Sequence, residues 1–349
     1  MKSIKIVTYC TCSSIGSVLQ SFALKKVLLD MGCESKVLLE HEKKRKRNVL
    51  KPKQLCRDIF KMMLHKKIQA GTKKRNEFIC EHMDIVRYGD DQELQAIESC
   101  DEANCYLAGS DQIWNPNHCN QVFFLDFVKN KKCVSYAASM GSTVVPDEKK
   151  QTFCRLLENF DLISVREREC AEVIHELTGK DASVHIDPTF LLSSDEWRTY
   201  EKKYEIKEPY ILLYMIYWND SLKKKVMELK RKTGLKVYTI KNGLSRACGD
   251  KILYDVGVDE FLWLIDHAEY VVTSSFHGAA MSAIFNKKFS AVVNPASPSR
   301  IENLLRVLSI PRVDINDLDS ADNFDYMAIN HRISEERTRG TEYLREALK

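Results

Sequence analysis

Apolar residues along this chain follow two alternating rhythms. Short runs rich in β-branched and aromatic residues read as buried strands at residues 4–9, 105–108, 133–138, 162–165, 183–186, 210–216, 236–240 and 271–273. Between them apolar positions recur at helical spacing. Val18, Phe22, Leu24, Val27 and Leu28 mark a helix running to Gly32, and Phe153, Leu156, Leu157 and Phe160 mark another. A lysine-rich helix ends at Thr233-Gly234, and Phe261, Leu262, Leu264 and Ile265 belong to a further one. Leu304, Leu305 and Leu308 share one face of a helix over 300–308 that Pro311 stops, and residues 329–349 read as a last helix. Strands alternating with helices predict a parallel α/β sheet. The series pauses over 193–209, which is polar and ends in Glu208-Pro209, and then restarts. The pattern predicts two Rossmann-like domains facing a cleft, over residues 1–200 and 208–320, with a tail helix at 321–349 and a basic insertion at about 41–88.

A length of 349 residues suits two domains of ordinary size. No run of eighteen apolar residues occurs, so no transmembrane helix is expected. The first nine residues are too short and polar for a signal peptide. The twelve cysteines are scattered without a Cys-x-x-Cys pair. Without a secretory signal they read as reduced thiols, and a cytoplasmic location is expected. Gly16 stands alone, so neither a dinucleotide fingerprint nor a phosphate loop is present, and no closely spaced His pair or calcium loop exists. No cofactor and no metal are expected.

The net charge of +4 conceals an uneven layout, because residues 41–76 hold fourteen Lys or Arg against Glu42 and Asp58. Such a block is a solvated surface or a contact for an anionic partner. The stretch 60–68 mixes Phe60, Met62, Met63, Leu64 and Ile68 with basic residues, as a membrane-surface helix does. Aromatics do not interleave with the basic residues, so nucleic acid is disfavoured as a partner.

Chemistry concentrates at residues 270–289. Val271, Val272 and Thr273 lead into Ser274-Ser275, and Phe276-His277-Gly278 then opens a run of small residues. That is strand, tight loop and helix start, and ligands of open α/β sheets gather beyond such strand ends. Helix N-termini there attract anions, His277 can carry protons, and Gly278 lets a ligand approach backbone. The alternative is that His277 is a helix-cap residue without chemistry.

With five other segments, this stretch resembles the polysaccharide pyruvyl transferase family. They begin at Gly16-Ser17, at Gly109-Ser110-Asp111-Gln112-Ile113-Trp114-Asn115-Pro116, at Ser164-Val165-Arg166-Glu167, at Asp187-Pro188-Thr189 and at Ser299-Arg300, in order within residues 4–315. The resemblance implies a glycosyltransferase B-like arrangement, with the last helix packing back on the first domain. It implies transfer of pyruvate from phosphoenolpyruvate to two hydroxyls of a sugar, giving a cyclic ketal and phosphate. The acceptor would be a glycan or lipid-linked saccharide of a cell-surface polysaccharide precursor, and its identity is not fixed. The donor's carboxylate and phosphate call for guanidinium groups. C3 must gain a proton and a hydroxyl must lose one.

On this resemblance His277 is the general acid/base and donor ligand, with Gly278 beside it. Arg166, at a predicted strand end, would hold an anion, or else pair with Glu167 or Glu169. The family often has arginine where this chain has Ser275, and Arg300 could supply the missing cation. Asp111 could act as base for an acceptor hydroxyl, with Ser110, Gln112 and Asn115 bonding sugar. Trp114 would stack on a sugar face or pack in the core. Gly16 and Ser17, at the first helix start, would hold an anion in the cleft, unless Ser17 simply caps the helix, and Gln20 would line the cleft one turn in. Asp187 before Pro188 reads as a turn. A lipid-carried acceptor gives the basic block a use, as a peripheral contact with the anionic inner face of the membrane. Two other readings remain: a B-type glycosyltransferase, with Asp255, Asp259 or Glu260 on a ribose, and a non-catalytic glycan-binding relative, suggested by Ser275.

Overall fold

A computed structural model of the protein describes residues 2–41, 55–142, 144–216, 218, 220–243, 246–292, 299–311 and 324–349, the side chains of 55–61, 221 and 299 excepted. The first sheet contains β1 (Lys2–Val7), β2 (Cys33–Glu40), β3 (Ile85–Tyr88), β4 (Cys105–Ala108) and β5 (Lys132–Ser135), in the order β3-β2-β1-β4-β5. A small pair, β6 (Ser164–Val165) and β7 (Ser183–Val184), extends it past β5 through the bridges Val134–Leu162 and Ala138–Val165. The helices of this half are α1 (Ile15–Asp30), α2 (Leu55–His82), α3 (Asp91–Cys100), α4 (Asp147–Leu157), α5 (Arg168–Thr178) and α6 (Ser194–Arg198). The second sheet contains β8 (Tyr210–Tyr214), β9 (Lys236–Ile240), β10 (Lys251–Leu253), β11 (Tyr270–Thr273) and β12 (Phe289–Ala291), in the order β10-β9-β8-β11-β12. Its helices are α7 (Asp220–Thr233), α8 (Val258–Asp266), α9 (Phe276–Ile284) and α10 (Ser299–Val307), and α11 (Tyr326–Ala347) closes the chain. Strand pairing in both sheets is parallel, as the alternating pattern predicts.

The strands β2, β3 and β10 escape the sequence reading. Their backbones pair within the sheets, but their side chains lack a continuous apolar signal: β2 carries the exposed Glu34 beside Lys36, and β10 is short and begins with an exposed lysine.

Helix α1 occupies the middle of the molecule. Residues 15–24 are all buried. A surface helix shows one apolar stripe, whereas a helix enclosed on every side needs apolar or small residues all round. Here α1 packs on β2 and also touches α8 and α9 of the second half. Ser14 starts it, its side chain accepting from the Ser17 N–H.

The basic insertion contributes α2. Residues 42–54 of that block, and the Phe60 side chain, lie outside the described residues. Met62 and Met63 are exposed, and Leu64 and Ile68 are half-buried. The inner end of α2 is a joint between the halves. Arg75 is buried and donates to the Val256 carbonyl at 2.7 Å and to the Cys12 carbonyl. Lys74 pairs with Glu260 at 2.7 Å. Among the described residues no helix is long and apolar enough to cross a membrane.

The last helix returns to the first half, as the resemblance implies. Arg337 donates to the carbonyls of Phe190 and Leu192 at 2.9 and 3.0 Å. Tyr343 donates its hydroxyl to the Ser135 carbonyl at 2.9 Å. Gly340 is required there, because a Cβ would stand 2.3 Å from the Tyr136 hydroxyl oxygen.

Glu201 lies where the chain passes between the sheets. Burial, then the neighbouring Asp266, push its carboxyl up to about 7 against the pull of Arg198 and Lys287. An unfolded glutamate titrates near ~4.3. The folded chain therefore holds this proton more tightly, and the stability gained is full below the unfolded value and lost as pH rises through about 7. Glu201→Gln should flatten the decline of melting temperature between roughly pH 5 and 8. An unchanged slope in thermal melts would assign that decline to other groups.

Candidate active site

Parallel register sets the strand ends level. Val7 pairs with Ala108, and Ala108 with Ser135. In the other sheet Thr273 pairs with Tyr214. The loops that leave these ends meet in the gap between the sheets, the usual ligand position of open α/β folds.

Asp187 is the centre of the meeting point, fully buried after β7. Arg166, leaving β6, places Nη2 2.5 Å from Asp187 Oδ2 and also donates to the Ser110 hydroxyl. Ser110 follows β4, and its Oγ lies 3.3 Å from the same carboxylate oxygen. Thr189 donates its N–H and hydroxyl to Oδ1 at 2.9 and 2.7 Å. Burial works to raise the Asp187 carboxyl, but Arg166 and then His277 hold it well below the usual carboxylate range.

His277 comes from the second half. It follows β11 through the turn Ser274-Ser275, and Ser275 caps α9 by accepting from the Gly278 N–H at 3.3 Å. The imidazole is buried against the start of α1, and a Cβ at Gly16 would stand 2.2 Å from its Nδ1. Its Nε2 is 3.7 Å from Asp187 Oδ2, which is a charge contact too long for a hydrogen bond, and that nitrogen has no other partner.

Two guanidinium groups retain free N–H groups. Arg166 is buried over the Phe276 ring, 4.5 Å from its centroid, with Nε and Nη1 unpaired. Arg300, at the start of α10, reaches across the gap to Asp111, Nη1 to Oδ1 being 3.8 Å, and its Nε is unpaired. Burial lowers the Arg300 pKa and Arg166 adds like-charge repulsion, while Asp111 opposes both. A buried and a half-buried cation with spare donors, beside an unpartnered imidazole nitrogen, can hold an anion and exchange a proton with it.

The structure brings His277, Arg166, Ser110, Asp111, Arg300 and Gly16 together, and Asp187 joins them. Asp-Pro is a turn signal, and Asp187 does start the short 3-10 helix Pro188–Leu191. Its second bonding direction, into the cleft, has no mark in the sequence. Arg166 pairs with neither Glu167 nor Glu169. Glu167 is buried and accepts from the Ser139 hydroxyl at 2.8 Å.

Other candidates have local work. Trp114 does not face sugar: it is fully buried, stacked on Phe124, with Nε1 donating to the Phe123 carbonyl at 3.0 Å. Gly278 does not clear space for a ligand, because Thr273 occupies it, 2.3 Å from where a Cβ would be. Ser17 spends its hydroxyl on the Ser14 carbonyl at 2.9 Å, and Ser275 spends its own on the cap. Gln20 holds the loop after β1 through the Tyr9 carbonyl at 2.7 Å. Asn115 accepts from the Asn117 N–H at 2.9 Å, closing a turn. Gln112 packs on Gly141, whose φ of +62° and missing side chain both make room for it. Asp111 takes the left-handed conformation, φ 73°, and accepts from the Gln112 N–H at 2.9 Å while facing Arg300.

Among the described residues one cluster gathers metal-type ligands, Glu201, Asp266 and His267. It lies at the crossing segment, and the Arg198 fork already holds Asp266 at 2.9 and 3.2 Å.

A profile of the polysaccharide pyruvyl transferase family matches residues 15–295. No curated protein matches the chain in sequence. Its fold is similar to that of UDP-GlcNAc 2-epimerase from Neisseria meningitidis, at 8% identity and TM-score 0.54 over 100% of this chain and 99% of the other. The enzyme of the same title from Methanocaldococcus jannaschii gives 9% identity and TM-score 0.57 over 93% and 92%. An alpha-glucosyltransferase in complex with UDP gives 9% and 0.51 over 99% and 95%. These likenesses establish a glycosyltransferase B-like fold of two facing Rossmann-like units.

Gly16 offers a direct test of the His277 placement. Gly16→Ala puts a methyl group into the imidazole, so the ring must shift by about an ångström, a displacement that can cost on the order of a hundredfold in turnover. Imidazole NMR signals of His277 should move while the chain stays folded. Unmoved signals would show that the ring does not depend on this contact.

Proposed function

The chain belongs to the polysaccharide pyruvyl transferase family, and from that premise we propose that it transfers pyruvate from phosphoenolpyruvate to two hydroxyls of a sugar in a polysaccharide precursor. The observation that carries this reading is the unpartnered, buried His277 Nε2 standing with the free N–H groups of Arg166 and Arg300. The donor presents a carboxylate and a phosphate, and two guanidinium forks suit two oxyanions. Arg300 stands in for the arginine that many relatives carry where Ser275 caps α9.

In this mechanism His277 Nε2 delivers a proton to C3, and C2 becomes electrophilic. Asp111, at the cleft face of the first half, takes the proton of the attacking hydroxyl, and a C2–O bond forms. The bond from C2 to the phosphate oxygen then breaks, its electron pair leaving with phosphate. Phosphate takes the proton held by Asp111 as it leaves; the second hydroxyl then attacks C2, its proton returns to His277 Nε2, and the ketal closes. Asp187 keeps Arg166 in place throughout.

The candidate ribose ligands of the nucleotide-sugar alternative already have partners within the protein, which disfavours it. Asp255 accepts from the Tyr204 hydroxyl at 3.1 Å, Asp259 accepts from the Glu260 N–H at 2.9 Å, and Glu260 is held by Lys74. The decisive assay compares phosphate release from phosphoenolpyruvate with nucleoside diphosphate release from a sugar nucleotide. His277→Ala should lower the first by about a hundredfold or more, the scale of general acid–base catalysis. Wild-type turnover in that variant, or nucleoside diphosphate as the product, overturns the reading.

The acceptor we propose is lipid-linked, met at the inner face of an anionic membrane. The outer part of α2 supports this, with Met62 and Met63 exposed beside Lys66 and Lys67. Binding to anionic vesicles should fade with salt and fall when Lys66 and Lys67 become glutamine and Met62 and Met63 become serine. Equal co-sedimentation with neutral vesicles would remove the membrane from the proposal.

A further inference from the structure

The centre has a second opening. Arg166 and Phe276 also form the inner wall of a chamber of about 520 Å³ bounded by β7, α10 and α11. It shares Arg166, Asp187 and Phe276 with the site above, but Arg300 and Asp111, which face each other across the cleft mouth, do not line it. Four arginines do, Arg166, Arg168, Arg306 and Arg339, against two carboxylates, Asp187 and Glu336. Both carboxylates are already engaged, Asp187 by Arg166 and Glu336 by Arg339 at 2.5 Å. Arg306 makes its bonds to Glu169 and Asn303 through Nη2, at 3.1 and 2.8 Å, and Arg168 is exposed at the mouth. At the inner end Arg166, 3 % exposed, keeps Nε and Nη1 unpaired. Arg306 is also paired, to Glu169, so the surplus positive charge at the rim is that of Arg168, while the base keeps unsatisfied buried donors, the two features an oxyanion needs to enter and to stay.

We propose that this chamber is a second oxyanion site, and that it receives the inorganic phosphate expelled from C2. That it binds an oxyanion follows from its lining, while the identity of that oxyanion as the reaction's phosphate rests on the pyruvyl-transfer reading. Chemistry supplies the reason for a separate exit. Phosphate must leave before the ring closes, and at that moment the acceptor, already bonded to C2, fills the cleft. A leaving group that passes behind Arg166 does not have to cross the acceptor. Arg166 contacts both spaces and can hand the phosphate from one to the other without losing its own ion pair to Asp187.

The test uses the full chain and inorganic phosphate alone. Calorimetric titration is run in an Arg300→Gln background, which weakens the cleft site. Adding Arg168→Gln and Arg306→Gln should weaken phosphate binding at least a further tenfold, and Arg168→Gln alone, on an exposed side chain, at least threefold. Melting temperatures verify that each variant is folded. In turnover, phosphate as product inhibitor should lose at least tenfold in potency in the Arg168→Gln/Arg306→Gln enzyme, with the donor KM within twofold of wild type. Phosphate affinity unchanged by both chamber variants overturns the site. Weakened calorimetric binding, in a protein that releases no phosphate from phosphoenolpyruvate, upholds the oxyanion site and overturns only its link to pyruvyl transfer.

Discussion

A fully buried carboxylate must be compensated on every side, and in this protein that requirement falls on Asp187. Its partners come from separate parts of the chain: Arg166 from the end of β6, Ser110 from the loop after β4, Thr189 from its own turn, and His277 from the opposite half. Removing one partner of such a pair costs about 3–5 kcal/mol, because the charge left behind has no solvent. The arrangement is therefore a constraint on how the halves meet as much as on the site. A shift of either half that moved His277 or Arg166 away would leave the carboxylate exposed to that penalty.

The same logic explains why both cations are only partly satisfied. Arg166 gives Nη2 to Asp187 and Ser110 and keeps two N–H directions free, and Arg300 stands 3.8 Å from Asp111. A cation fully paired within the protein has nothing to offer an anion. One wholly unpaired would be too costly to bury. The fold is shared with epimerases and glucosyltransferases at about a tenth identity, so what separates this chain from them is carried by such side chains, not by the sheets.

The sequence reveals most where one physical demand acts alone. Strands buried on both faces, such as β8 and β11, need continuous apolar residues and read plainly. Helix α1 reads as a helix, but its enclosure depends on α8 and α9, which arrive over two hundred residues later. Edge strands β3 and β10 are legible only as partners of their neighbours. In the site, His277 and Arg166 stand out because they follow strands within recognisable segments. Asp187 was hidden because its local bonds to Thr189 are an adequate reason for an Asp-Pro-Thr turn. Trp114 misled in the opposite direction: a tryptophan beside polar loop residues suggested a ligand face, yet Phe124 and Phe160 enclose it.

Helix α11 also bears on how the molecule is made. The flank of the first sheet that holds Tyr136, Phe190 and Leu191 is covered by residues 326–347, with Gly340 against Tyr136 and Arg337 on the Phe190 carbonyl. On the ribosome the first half emerges long before its cover does, although domains generally fold in the order they are synthesised. Its sheet therefore waits, with an apolar side open, while the whole second half is translated. That interval is when a chaperone has a surface to hold, and when neighbouring nascent chains are most able to aggregate.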